Sequence, residues 1–133
     1  MAIDEELSAR VRDRLEGLEG LGEKKMFGGL CFLVNGHMVV AVSRRKSGEG
    51  NYLFRIGKEN ADAAARLGRS EPMGHGGRRM SGFYHVGADD CPDATFNEWL
   101  SIAVENASSL QAQVEHMEAA AAGGEAGADG SRG

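Results

Sequence analysis

Two short runs of cations are the side chains best suited to chemistry in this sequence. One run interrupts an apolar region in the first half of the chain, and the other follows a glycine-rich segment in the second half. Guanidinium forks and ammonium groups bind phosphate and carboxylate. The candidate contacts for a nucleic acid or another anion are Arg44, Arg45, Lys46, Arg78 and Arg79. The alternative is that both runs are solvated loop residues.

The charge pattern agrees with either interpretation. Residues 24–80 carry eleven Lys or Arg and four acidic residues, for a net charge of +7. The flanking segments 1–23 and 81–133 are acidic, at −4 and −8, and the whole chain is at −5. A basic centre suits an anionic partner. It equally suits acidic helices that pair with a basic sheet in the same molecule.

Histidine and cysteine offer no recognisable metal or catalytic motif. Neither the four histidines nor the two cysteines have metal-ligand spacing, and no nucleophile signature is present. We expect Cys31 to be a small buried hydrophobe and expect no Cys31–Cys91 disulfide.

Two groupings would change that interpretation. Strand pairing could bring His37 and His85 near Cys31, or a deep pocket could gather His75, His85 and Cys91. The second grouping would indicate an enzyme. Without it, we expect a non-enzymatic protein with no metal and no cofactor.

The longest apolar stretch, residues 24–42, must position these side chains. It contains Asn35-Gly36 between two apolar runs, which predicts a hairpin with a type I′ turn. Further apolar segments predict an antiparallel sheet with strands at 24–27, 30–34, 37–42, 51–56 and 80–86. Residues 69–82, rich in glycine, are expected to form a loop.

Three helices are predicted around the sheet. The first covers residues 4–19 and the second residues 58–67, where Gly68 ends it. The third begins after a cap at Asp90 or Cys91 and extends to about residue 122. Its apolar positions alternate by four and three residues, which is typical of a heptad seam. The distal part of this seam, a candidate self-association surface, consists of Leu110, Val114 and Met117.

Length and composition predict one α+β domain over residues 1–118, followed by a disordered Ala/Gly-rich tail over 119–133. The sequence has neither a long apolar run nor a start typical of a signal peptide. We therefore expect a cytoplasmic protein with no membrane partner.

The order of the motifs resembles a known family. The motifs are Met26-Phe27-Gly28-Gly29, Tyr52-Leu53-Phe54 followed by a helix, and Met80-Ser81-Gly82-Phe83. This arrangement resembles the N-terminal domain of the TfoX/Sxy family, known for regulators of bacterial competence. The chain looks like the stand-alone, single-domain branch.

The resemblance implies a two-layer α+β fold of five to six antiparallel strands, like the secretion-chaperone-like domains, and no catalytic residues. We expect a non-enzymatic interaction domain, an accessory transcriptional regulator that acts through a protein partner such as a transcription factor. A homodimer through the last helix fits the seam. The alternative is direct nucleic-acid or anion binding through the basic runs.

Overall fold

The computed structural model describes residues 4–26, 28–45, 47–75, 78–123, 128–129 and 131–132. Residues 73–75, 78–81 and those from 120 onward are described by their backbone. Within these ranges the chain forms three α-helices and a six-stranded sheet, so the predicted α+β class and two-layer arrangement are confirmed.

The six strands are β1 Leu21–Met26, β2 Gly29–Val34, β3 His37–Arg44, β4 Gly50–Arg55, β5 Glu71–His75 and β6 Arg78–Gly87. They form one antiparallel sheet in the order β1-β2-β3-β4-β6-β5. The predicted hairpin joins β2 to β3. Asn35 and Gly36 have φ values of 54° and 83°, as a type I′ turn requires.

The prediction of a loop over residues 69–82 is wrong, because most of this segment belongs to the β5–β6 hairpin. The glycines of this segment suggested a loop, and Pro72 is also unfavourable inside a sheet. However, β5 is an edge strand, where a proline is tolerated because only one side of the strand needs hydrogen bonds.

The helices are α1 Glu5–Leu15, α2 Ala61–Leu67 and α3 Asp93–Gly123. The Asp4 side chain caps α1 by accepting a hydrogen bond from the Leu7 amide at 3.1 Å. The predicted extension of α1 to residue 19 is wrong, since the helix ends before Gly17, which has a φ of 90°. Two short 3₁₀ turns, Lys58–Asn60 and Ala88–Asp90, precede the other helices, and α3 begins directly after Pro92.

The core lies between one face of the sheet and the helices. Its largest fully buried side chains include Phe32 of β2, Tyr52 and Phe54 of β4, and Phe96 and Trp99 of α3. Phe54 stacks on Trp99 with ring centroids 5.4 Å apart. These contacts place the N-terminal half of α3 across the centre of the sheet.

Arg10 joins α1 to this arrangement. Its guanidinium donates hydrogen bonds to the Tyr52 hydroxyl, the Cys91 carbonyl and the Asp93 carboxylate at 2.9, 3.0 and 2.7 Å. It also lies 4.1 Å from the centre of the Phe96 ring. One side chain therefore connects α1, β4 and the start of α3.

The opposite face of the sheet carries a smaller buried cluster of Cys31, Met38, Ala41 and Leu53. Cys91 belongs to the helix-side core, so the two cysteines lie in different clusters and both are free. Burial raises the pKa of each thiol to about 11. The expectations of a buried Cys31 and of no disulfide are confirmed.

The 31 residues of α3 span about 46 Å at ~1.5 Å per residue. None of the helices in the described ranges is both long enough and apolar enough to cross a membrane. Beyond α3, the structure describes β7 Ala128–Asp129 and β8 Ser131–Arg132, which pair with each other. Residues 124–127, 130 and 133 lie outside the described part, and the disordered tail stays a prediction.

Candidate functional site

A polar cluster lies at one end of the sheet, on the face away from the helices. Leu53 of β4 pairs with His85 of β6, and Asn51 pairs with Gly87. Because side chains alternate between the two faces of a strand, Asn51 and His85 emerge on the same face as diagonal neighbours. Arg45 joins them from the end of β3.

Asn51 connects the other two side chains. Nε and Nη2 of Arg45 donate to Oδ1 of Asn51 at 3.0 and 2.8 Å. The amide nitrogen of Asn51 therefore faces His85, whose Nδ1 lies 3.0 Å away. Since an amide N–H only donates, Nδ1 of His85 accepts and its proton lies on Nε2. Asn51 is 4% exposed, so these bonds satisfy a buried amide.

The environment favours the neutral form of His85. Burial lowers its pKa below the usual value of 6.5, and the nearby positive charge of Arg45 lowers it further, while Glu71 acts in the opposite direction. Protonation of Nδ1 would also remove the acceptor used by Asn51.

Beside this cluster is an open pocket of about 290 Å³. Its charged lining residues are Arg45, Arg69, Glu71 and Asp90. Arg69 donates to Asp90 at 3.0 Å, and Arg45 lies 3.8 Å from Glu71. The two cations are therefore balanced by two carboxylates, and a polar ligand would have to compete with them.

The basic residues predicted to contact an anion lie in two separate parts of the structure, and the first run begins at the end of β3. Arg44 lies 3.6 Å from the buried Asp4, and Arg45 belongs to the polar cluster, so both already have partners. Lys46 lies outside the described residues. Anion binding through this run stays a prediction.

Arg78 and Arg79 lie at the other end of β6. Their backbone begins the strand, whereas Gly87, the neighbour of Asn51, ends it. Nine residues of strand span about 30 Å at ~3.3 Å each. The two basic runs therefore do not form one site. The side chains of Arg78 and Arg79 are outside the described part.

Neither histidine–cysteine grouping is formed by the described side chains. His37 contacts Gln111 of α3 on the helix side, whereas Cys31 lies in the cluster on the other face. Cys91 is in the helix-side core, whereas His85 bonds Asn51 on the opposite face. The side chain of His75 is not among those described.

The seam residues of α3 become more exposed toward the C-terminal end of the helix. Phe96, Ala103 and Ala107 are fully buried, Leu110 is partly buried, and Val114 and Met117 are 37% and 68% exposed. Every described side chain from residue 112 to residue 119 is exposed. The distal part of α3 thus projects past the sheet with an apolar stripe that the other described residues leave uncovered.

Comparison with known families decides the affiliation of the chain. The model of the TfoX N-terminal domain matches residues 13–107, which is more than half of the sequence. The chain belongs to the TfoX N-terminal domain family. No curated protein and no solved structure gives a significant match.

Membership in the TfoX N-terminal domain family suggests a competence-related regulatory domain. The matched segment includes the polar cluster and the buried half of α3. The seam residues Leu110, Val114 and Met117 lie beyond it.

Sequence reasoning missed the roles of Asn51 and Glu71. Asn51 looks like an ordinary strand residue, and only the register between β4 and β6 places it against His85. The one available signal was its type, because a buried asparagine inside an apolar strand requires hydrogen-bond partners.

Proposed function

We propose that this chain is a non-enzymatic, competence-related regulatory domain that acts by binding a protein partner through the distal half of α3. The exposed seam carries this proposal. We define this seam surface as Leu110, Val114 and Met117.

Exposed apolar side chains on α3 support an interface at this surface. Among the described residues, the large hydrophobic side chains with substantial exposure are Leu18, Val114 and Met117, and two of these three belong to the seam surface. Their heptad spacing continues the row that packs on the sheet. A helix with this pattern presents a stripe that suits a second helix.

Two kinds of partner fit such a stripe. A second copy of the chain would pair its own α3 seam with this one and give a homodimer. A transcription factor with an exposed amphipathic helix would occupy the same surface. In both cases the contact is apolar, with the exposed Glu115 and Glu118 beside it.

Affinity capture from the native lysate with the intact chain tests the proposal, in parallel with and without nuclease. We expect a protein partner that survives nuclease and moderate salt. The seam variant Val114→Glu/Met117→Glu should lose it. The matched variant Ala112→Glu/His116→Glu, which adds the same groups on another face of α3, should keep it.

Recovery of nucleic acid alone, lost at moderate salt, would contradict the proposal and favour direct nucleic-acid binding. So would a partner captured equally well by both double variants.

A further inference from the structure

A second pocket lies at the end of β4, between the Lys58–Asn60 turn and α3, and it includes Arg55 and Phe83 from the sheet face away from the helices. Its volume is about 300 Å³, at the low end of the ~300–1,000 Å³ typical of small-molecule sites. Its lining combines cations, an amide and apolar surface: Arg55, Lys58, Phe83, Asn106 and Leu110.

Arg55 is unusual among the arginines whose side chains are described. The other seven each lie within 4.0 Å of a carboxylate, whereas none of the described carboxylates lies that close to Arg55. Its guanidinium carbon lies 5.4 Å from the centre of the Phe83 ring. Stacking of this kind positions the group and leaves its N–H donors available to a ligand.

Asn106 is a second donor without a partner. The residue is 6% exposed and lines the pocket, and its amide nitrogen has no hydrogen-bond partner in the described part of the chain. Burial of an amide donor without a hydrogen bond is unfavourable, and such groups in native proteins usually have a specific explanation. A ligand oxygen in the pocket would supply the missing acceptor.

Two glycines shape this pocket. A Cβ on Gly57 would lie 2.5 Å from Oδ1 of Asn106, and a Cβ on Gly82 would lie 2.7 Å from the backbone of Gly57 and Lys58. Both residues also have a positive φ, of 89° and 85°. The backbone therefore approaches Asn106 more closely than a residue with a side chain would permit.

We infer that this pocket binds the carboxylate of a ligand that also carries a small apolar group. Arg55 and the Asn106 amide provide N–H donors for the two carboxylate oxygens, and Lys58 adds a positive charge. Phe83 and Leu110 provide apolar contact. Glu59, which also lines the pocket, reduces the local charge to +1, which suits a monoanion better than a phosphate dianion.

Such a carboxylate has two sources, a free metabolite or the C-terminus of a peptide chain. The pocket shares Leu110 with the seam surface but none of its donors. The variant Val114→Glu/Met117→Glu keeps Leu110, so binding measured in it is separate from association through Val114 and Met117.

Titrations of the ¹⁵N-labelled full chain test the inference by NMR. The probes are 3-phenylpropanoate with its neutral amide, and the peptide N-acetyl-Gly-Phe as free acid and as amide. We expect at least one of the two acids to cause saturable chemical-shift changes at Gly57, Phe83 and the side-chain NH₂ of Asn106. The neutral amide form of the same ligand should not cause them. A response to the peptide acid alone indicates a chain terminus, and a response to the small acid alone indicates a metabolite.

Variants locate the binding. Arg55→Gln should weaken it about tenfold or more, because a charge-assisted hydrogen bond is lost. Arg55→Lys, which keeps the charge but not the fork, should have an intermediate effect. Arg66→Gln, which removes an exposed arginine paired with Glu98, should leave binding unchanged. Equal shifts with acid and amide, no saturable shift at millimolar probe, or equal weakening by Arg55→Gln and Arg66→Gln would overturn the inference.

Discussion

Nε2 of His37 lies 3.1 Å from Oε1 of Gln111, which makes this pair the last hydrogen bond that the structure describes between the sheet and α3. The Gln111 amide nitrogen faces Glu115 at 3.2 Å, so its oxygen is the atom turned toward His37, whose Nε2–H donates. Beyond this contact the described side chains of α3 are exposed. His37 and Gln111 thus mark the point where α3 leaves the domain and its seam becomes an available surface.

Self-association should depend on the seam surface. We expect the intact chain to sediment as a concentration-dependent dimer. Val114→Glu/Met117→Glu should shift it to monomer, because the glutamates would have to be buried in an apolar contact. Ala112→Glu/His116→Glu should remain dimeric. Sedimentation velocity over a concentration series measures all three, and a seam variant that still dimerises would contradict the prediction.

Arg45 should matter to stability more than Arg44. Arg45→Ala removes two N–H donors from the buried Asn51 oxygen, which should cost about 1–3 kcal/mol. Arg44 is half exposed and 3.6 Å from Asp4, so Arg44→Ala should cost less than about 1 kcal/mol. Urea unfolding of both variants gives the comparison, and equal losses would argue against the Arg45–Asn51–His85 cluster.

The free energy of unfolding should fall as the pH drops below about 6.5. The pKa of His85 is lower in the folded state than its ordinary 6.5, so below that pH the unfolded chain binds the extra proton more readily. The contribution of neutral His85 to the free energy of unfolding is complete above pH 6.5. It is lost as the pH falls through the pKa of His85 in the folded state. Urea unfolding at pH values on both sides of 6.5 measures it.

His85→Gln should flatten this part of the pH profile, whereas His116→Gln, which changes an exposed histidine on α3, should not. If the two variants have the same profile, His85 is not the titrating group.

Gly82 should be far less tolerant of alanine than Gly17. Both have a positive φ, which costs an L-residue roughly 1–2 kcal/mol. At Gly17 a Cβ would meet nothing within 4 Å, whereas at Gly82 it would press on the Gly57–Lys58 backbone. We expect Gly82→Ala to be at least about 2 kcal/mol more destabilising than Gly17→Ala. Thermal or urea unfolding tests this, and similar losses would contradict it.

Local signals in the sequence were sufficient for much of the fold. The Asn35-Gly36 turn needs only its own two residues to adopt a positive φ, and it formed as predicted. Gly68 ends α2 with a φ of 70°, again through a local preference. The heptad spacing of α3 predicted a helix to about residue 122, and it ends at Gly123.

Features that depend on distant residues could not be predicted in this way. The β5–β6 hairpin forms because β6 pairs with β4, about 30 residues earlier, and that pairing outweighs the local preference of glycine for loops. The Asn51–His85 bond depends on the same register. Sequence reasoning identified the cations of the first basic run but not the carboxylates that neutralise Arg44 and Arg45.

Site-specific photo-crosslinking tests the central claim, that the distal seam of α3 is a protein interface, most directly. In the intact chain, Met117→p-benzoylphenylalanine places the crosslinker on the seam, and His116→p-benzoylphenylalanine places it one residue away on another face. After irradiation in native lysate, we predict a discrete protein adduct from position 117, either at twice the mass of the chain or at the mass of a partner, and little or none from position 116. Equal adducts from both positions, or none from position 117, would contradict the account.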